Sequence, residues 1–124
     1  MGTISYDINQ IERGFRRDPE FPHAPLDWTR KMGEEIAAKE ELKLTDDHWQ
    51  VVRALQEFFA RHEEESEPVH LRELHDALDE AFHSQGGIRH LYQLFPGGPI
   101  AQGCRVAGLK APFTATDLSF GSVA

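Results

Sequence analysis

The sequence predicts a mainly α-helical fold, a small orthogonal bundle of about five helices in a single domain over residues 1–124. Three observations predict it. Apolar side chains recur at the spacing of one helix face through most of the chain. Proline and glycine divide these segments at short intervals. A strand pattern occurs only where Ile4, Tyr6 and Ile8 alternate with polar residues, which predicts at most a short N-terminal β-hairpin.

Residues 1–26 are the least regular part of the chain. Pro19, Pro22 and Pro25 exclude a helix there, because each proline disfavours helical backbone at the residue before it. We therefore expect a loose N-terminal arm over 1–26, ahead of the helical body.

The first helix is predicted over about 28–41. Asp27 is its candidate N-cap, since a carboxylate accepts hydrogen bonds from the free N–H groups of a first helical turn. Trp28, Met32 and Ile36 recur at helical spacing and would form its apolar stripe.

The second predicted helix, about 46–62, has the strongest amphipathic pattern of the chain. Thr45 is its candidate N-cap, and Asp46 and Asp47 complement the positive end of the helix dipole. Its apolar face places this helix at the centre of the predicted core.

Two further helices complete the helical body, which extends over 27–95. One runs from about 70 to 82 and ends at Gln85-Gly86-Gly87, and a short one follows over 88–95. The side chains expected in the core are Trp49, Val52, Leu55, Phe59, Leu74, Leu78, Leu91 and Phe95.

The next segment, 96–109, contains the single cysteine, Cys104. A proline and two glycines interrupt the preceding helix, and Pro99 suits the first turn of a fifth one. Ile100, Cys104 and Ala107 share a face of that helix, and Gly108 is a C-terminal stop signal. The tail, 110–124, follows and is expected to be a flexible C-terminal arm.

Two interpretations of Cys104 follow from these residues. Free cysteine is often buried as a small apolar side chain, which predicts an inert, packed thiol. A helix N-terminus and the adjacent Arg105 favour thiolate and a reactive group. Weighing the two effects, we expect an accessible thiol that is less reactive than one in a catalytic pair.

Composition restricts the function. The net charge of −8 opposes binding to nucleic acid and favours basic protein partners. No run of about 18 apolar residues predicts a membrane helix, and residues 1–10 show no secretory signal. One cysteine allows no internal disulfide, so we expect a cytoplasmic protein. We also expect no cofactor.

Motifs of metal sites and of conventional enzymes are weak. Glu80-x-x-His83 is a lone pair, whereas a di-iron bundle needs two such pairs, so no metal site is predicted. His90 is the histidine nearest to Cys104 in sequence, but nothing in the pattern brings the two side chains together. The glycines at 97 and 98 lack the Gly-Lys-Ser/Thr of a phosphate loop.

A helix-turn-helix DNA-binding regulator stays open as an alternative. The first two predicted helices are joined by the short link 42–44, as in that motif. The second of them begins with Asp46-Asp47, however, and carboxylates repel DNA phosphates. Nucleic acid is therefore not an expected partner.

Four segments resemble motifs of the DsrC/TusE family of sulfur-relay proteins. They are Asp27-Trp28, the run DDHWQVV at 46–52, RHLYQLFPGGP at 89–99 and QGCRVAGL at 102–109. The resemblance implies a small helical protein with a short N-terminal hairpin and a flexible C-terminal arm. It also implies binding roles for residues of the last two motifs, namely Tyr92, Pro96, Gly97, Gly98, Pro99 and Arg105.

In this family, DsrC members have two reactive cysteines on the arm and act as a co-substrate of dissimilatory sulfite reductase. TusE members keep the near-terminal cysteine and pass persulfide sulfur toward tRNA thiolation. Cys104 matches the upstream cysteine, whereas Ala115 stands where the family has the downstream one.

The resemblance therefore leaves two functions open. The chain is expected to dock on sulfite-reductase-like or sulfurtransferase complexes in a binding or regulatory role. Alternatively, it carries sulfur as a persulfide on Cys104, the candidate catalytic thiol.

Overall fold

The computed structural model describes residues 18–112, and within them the chain is helical, without strands. The mainly α-helical prediction is confirmed; the possible hairpin near Ile4 lies outside the described residues. The helices are α1 (Arg30–Lys39), α2 (Asp46–Glu64), α3 (Leu71–Ala81), α4 (Gly87–Leu94) and α5 (Ala101–Ala107), with a 3₁₀ turn at His83–Gln85. No helix in this part of the chain is long and apolar enough to cross a bilayer.

The long helix α2 lies at the centre of the bundle, where the sequence predicts it. It contacts α3, α4 and α5, and its residues Val51, Val52 and Leu55 are fully buried. Of the side chains expected in the core, Phe59 is only partly buried and the others are buried.

The core consists of two clusters that meet at α2 and α5. The first cluster contains Val51, Leu55, Leu74, Leu78, Phe82, Leu91, Phe95, Ile100 and Cys104. The second cluster contains Phe21, Ala24, Trp28, Ala37, Trp49, Val52, Val106 and Ala107. Because α2 and α5 supply residues to both clusters, the position of α5 fixes how the two halves of the core fit together.

Glycines let α5 approach its neighbours closely. A Cβ atom at Gly103 would lie 2.9 Å from Cδ1 of Leu55 on α2. A Cβ atom at Gly33 on α1 would lie 2.9 Å from the carbonyl oxygen of Val106. Real Cβ atoms do not approach other atoms so closely. A larger residue at Gly33 would therefore push α1 away from the backbone of α5, and one at Gly103 would displace the side chain of Leu55.

The predicted loose arm is packed where the structure describes it. Phe21 is fully buried, and its ring meets the rings of Trp28 and Trp49 edge to face at 5.1 and 5.5 Å. Backbone hydrogen bonds from Phe21 to Asp18 and from Ala24 to Phe21 form consecutive turns. The prolines exclude a helix, as expected, but a turn places an aromatic ring in the core equally well.

The first helix begins later than predicted, and of its predicted apolar stripe only Met32 is wrong, since Trp28 is buried and Ile36 packs against the second cluster. The N-cap is Thr29, whose hydroxyl accepts from the N–H of Met32 at 3.2 Å. Trp28 lies before the helix because its indole N–H donates to the carbonyl of Val106 at 2.9 Å. Met32 is 41% exposed, and Gly33 and Ala37 face the core instead.

Replacing Trp49 by alanine should destabilise the fold by about 3–5 kcal/mol, since it removes a buried aromatic side chain from the second cluster. Met32→Ala is the matched control on α1 and should change the free energy of unfolding by less than about 0.5 kcal/mol. Urea denaturation measures both. Equal midpoints for Trp49→Ala and the wild type would contradict the described core.

Candidate functional site

Cys104 lies in the core. Its side chain is fully buried in the first cluster, one turn after Ile100 on the same helix face. Burial raises the pKa of the thiol to about 12, although the positive charge of Arg105 acts in the opposite direction. The expectation of an accessible thiol is therefore wrong, because the loss of hydration outweighs the local charge.

Both ends of α5 are fixed by hydrogen bonds that orient this face inward. The N–H of Gln102 donates to the carbonyl of Gly98 at 2.8 Å, so a turn that contains Pro99 leads into the helix, which begins at Ala101 and therefore slightly later than predicted. At the other end, Gly108 has a φ of 78° and the N–H of Leu109 donates to the carbonyl of Cys104 at 2.8 Å. This 6→1 bond is the Schellman pattern of a helix C-terminus, and it confirms Gly108 as the stop.

Arg105 points to a different surface and has a partner there. Its Nε and Nη2 donate to the two carboxylate oxygens of Glu40 at 2.7 and 3.0 Å. The pair lowers the pKa of Glu40, mainly through the hydrogen bond from Arg105, and raises that of Arg105. The structure thus gives Arg105 a role in joining α5 to the end of α1.

Gln102 extends this pair to the Pro-Gly-Gly turn. Its Nε2 donates to Glu40 at 2.9 Å, and its Oε1 accepts from the N–H of Gly97 at 3.0 Å. The three side chains of Glu40, Gln102 and Arg105 therefore hold together the C-terminus of α1, α5 and the turn that precedes α5.

An open apolar groove of ≈580 Å³ lies beside this turn. Four of the predicted binding residues line it, namely Tyr92, Pro96, Gly97 and Gly98. Tyr92 is 51% exposed, which is unusual for a large aromatic side chain. Of the other predicted binding residues, Pro99 is buried and Arg105 lies outside the groove.

Helix α3 and the segment after α5 supply further groove walls. Leu71 and His75 line it from α3, and Ala111 and Pro112 line it where the described chain ends. Ile100 is shared, because it lines the groove and also belongs to the first cluster. Cys104 does not line the groove, so the thiol and the exposed family motif are separate features.

His48 is a positioning residue that sequence reasoning missed. Its Nε2 lies 2.7 Å from the carbonyl oxygen of Leu94, which can only accept, so Nε2 carries the proton. Its Nδ1 then accepts from the N–H of Thr45 at 3.0 Å. The Thr45-x-x-His48 spacing was the available signal, since it places a side-chain acceptor where a capping box has Glu or Gln.

Three further candidates were weighed in the sequence, namely a metal site, a Cys104–His90 pair and a helix-turn-helix. Among residues 18–112, no group of three or more His, Cys, Asp or Glu could hold a metal ion. His90 makes no hydrogen bond to Cys104 in that part of the chain. In the helix-turn-helix alternative Arg53 would be exposed, but its Nε donates to the carbonyl of Glu20 and its guanidinium lies over the ring of Phe21.

Comparison with known proteins identifies the family. The family described as DsrC like protein matches residues 12–115, which include Cys104, the groove and Ala115. The chain belongs to the DsrC-like family.

Curated relatives carry the name sulfurtransferase TusE. That of Photorhabdus laumondii is 37% identical over 87 residues, covering 69% of this chain and 76% of the relative. That of Salmonella typhimurium is 38% identical over 86 residues, covering 68% and 76%. The NMR structure of Allochromatium vinosum DsrC is similar with a TM-score of 0.57 and 34% identity, covering 71% of this chain and 77% of that one.

The thiol of native Cys104 should resist alkylation at pH 7–9 and react only as fast as the protein unfolds, because it is buried and protonated.

The raised pKa of Cys104 also makes the stability of the protein depend on pH. Above about pH 8.5 the unfolded thiol loses its proton while the folded one keeps it, so the wild type should lose up to about 1.4 kcal/mol per pH unit relative to Cys104→Ala.

Stopped-flow alkylation and chemical denaturation at pH 7, 9 and 10 measure these effects. Rapid modification of folded protein, or parallel pH profiles of the wild type and Cys104→Ala, would contradict a buried thiol.

Glu40→Gln should lower the free energy of unfolding at pH 7 by about 0.5–1 kcal/mol, because the bidentate pair with Arg105 is partly exposed. The lowered pKa of Glu40 makes this contribution present above about pH 4.3 and lost as the pH falls further, so the two proteins should converge in acid. Glu35→Gln is the control, because Glu35 is an exposed residue of α1. Its replacement should leave the free energy of unfolding unchanged.

Proposed function

We propose that this DsrC-like protein acts in sulfur metabolism by binding sulfite-reductase-like or sulfurtransferase proteins, as a docking or regulatory component. Cys104 in this proposal is a packing residue. The observation that carries the proposal is the complete burial of the only thiol, together with its pKa of about 12.

A sulfur carrier needs a thiolate that reaches its donor. The thiolate attacks the outer sulfur of a donor persulfide, the donor leaves as a thiolate, and the sulfane sulfur is transferred. A protonated thiol inside the first cluster can neither reach the donor nor attack it. With Ala115 in place of the downstream cysteine, no second thiol of this chain can resolve a persulfide.

The exposed part of the family motif supports a binding role. Tyr92 combines a large apolar ring with a hydroxyl, a combination that is frequent in the energetically important residues of interfaces. It stands beside Pro96 and Gly97 at a groove whose other walls are mostly apolar. The net charge of −8 favours a partner with a basic surface around the contact.

Tyr92→Ala should weaken binding to a purified sulfurtransferase or sulfite-reductase-type partner by at least about tenfold, as expected for an aromatic anchor. Gln93→Ala is the matched control, since Gln93 is the exposed neighbour on α4 and does not line the groove. Cys104→Ala should bind as the wild type does. Surface plasmon resonance with the full chain immobilised gives the affinities.

The carrier alternative is decided by intact mass after incubation with a persulfide donor. The docking proposal expects no added sulfur on folded protein. A gain of one sulfur atom that Cys104→Ala abolishes would overturn it in favour of the carrier.

A further inference from the structure

Gln56 has a buried polar atom that its surroundings leave unpaired. The residue lies on α2, and its side chain is fully buried. Its Nε2 donates to the carbonyl of Ala107 at 2.9 Å, whereas its Oε1 accepts no hydrogen bond from any group of residues 18–112. Leaving a buried acceptor without a donor costs the free energy of its lost hydration, so the atom indicates a donor bound at this place.

The contact with Ala107 fixes which way the amide of Gln56 points. Exchanging its oxygen and nitrogen would bring two oxygen atoms to 2.9 Å from each other, and neither of them can donate. The unpaired acceptor therefore cannot be removed by turning the amide over.

A cavity of ≈200 Å³ lies beside Gln56. Residues of α2 and of the N-terminal turn line it, namely Arg53, Gln56, Glu57, Phe21, Pro22 and His23. The guanidinium of Arg53 has N–H groups besides the Nε that donates to Glu20, and the carboxylate of Glu57 is an acceptor. A buried water molecule needs about two to four polar partners and takes up about 30 Å³, so this lining suits it.

We propose that the cavity is a binding site for water, in which an ordered molecule donates to Oε1 of Gln56. Water meets both needs of the site, because it donates to Gln56 and accepts from Arg53 in the same position. The volume lies below the roughly 300–1,000 Å³ of pockets that hold drug-sized ligands, which favours a ligand of this size. Through Gln56 the water links the N-terminal turn to Ala107, the last residue of α5.

This site is independent of the groove and of the docking role. No residue in the lining of the cavity also lines the groove. Phe21 on one side of Gln56 and Ala107 on the other belong to the second cluster. A water held between them is part of the packed structure, and its exchange with solvent should be slow.

The test measures cross-relaxation between water and side-chain amides in the wild-type chain labelled with ¹⁵N. The Nε2 protons of Gln56 should give NOE and ROE cross-peaks to water of opposite sign, which a water that tumbles with the protein produces and proton exchange does not. Gln102 is the matched control, because it is also buried but both its Nε2 and its Oε1 have protein partners. Its amide should give no such pair of cross-peaks.

A variant tests whether the water depends on this acceptor. Gln56→Met removes the amide, so the number of long-lived waters measured by oxygen-17 relaxation should fall by at least about one. Gln93→Met, at an exposed position of α4, should leave that number unchanged.

Two results would overturn the proposal. One is an amide of Gln56 that gives no more cross-relaxation with water than the amide of Gln102 does. The other is an NOE that joins this amide to an N–H or O–H group of the protein in place of water, since the donor would then belong to the chain. Both are measured on the folded wild type, so they stand even where Gln56→Met does not fold, and weak partner binding by Tyr92→Ala affects neither.

Discussion

The close packing of α5 against α1 and α2 is the constraint on which the rest of the structure depends. This helix contributes Cys104 to the first cluster and Val106 to the second, so both halves of the core are built on it. Its approach is possible because Gly33 and Gly103 leave no side chain between the helices. Trp28 and Gln56 then satisfy the carbonyls of Val106 and Ala107 with N–H donors at 2.9 Å each. A seven-residue helix that would be marginal in isolation is thereby fixed by tertiary contacts.

The same packing determines the chemistry of the thiol. A helix that is buried on the faces toward α1 and α2 carries its cysteine into the core, where the protonated form is favoured by the loss of hydration. Exposing Cys104 would require α5 to separate from Leu55 and would disrupt both clusters. In this chain, then, the cysteine that matches the upstream one of the family pattern is a packed residue of the core.

Local signals in the sequence were sufficient for the elements whose cause is local. The amphipathic helix α2 and the left-handed stop at Gly108 lie where the sequence predicts them, and α5 begins two residues after Pro99. Features set by contacts between distant residues were missed. The ring of Phe21 is held by Trp49, which its sequence neighbours do not indicate. Burial of Cys104 was one of two interpretations of the sequence, and the choice between them depends on helices far away in sequence that cover the thiol.

The turn that presents the groove is pinned at both ends by buried polar side chains. His48 fixes the carbonyl of Leu94 on one side, and Gln102 accepts from the N–H of Gly97 on the other. Gln102 is itself held by Glu40, so the turn moves only if α1 and α5 move with it. A surface so constrained loses little conformational entropy when a partner covers it. The rigid core and the exposed groove are therefore two consequences of one packed helix.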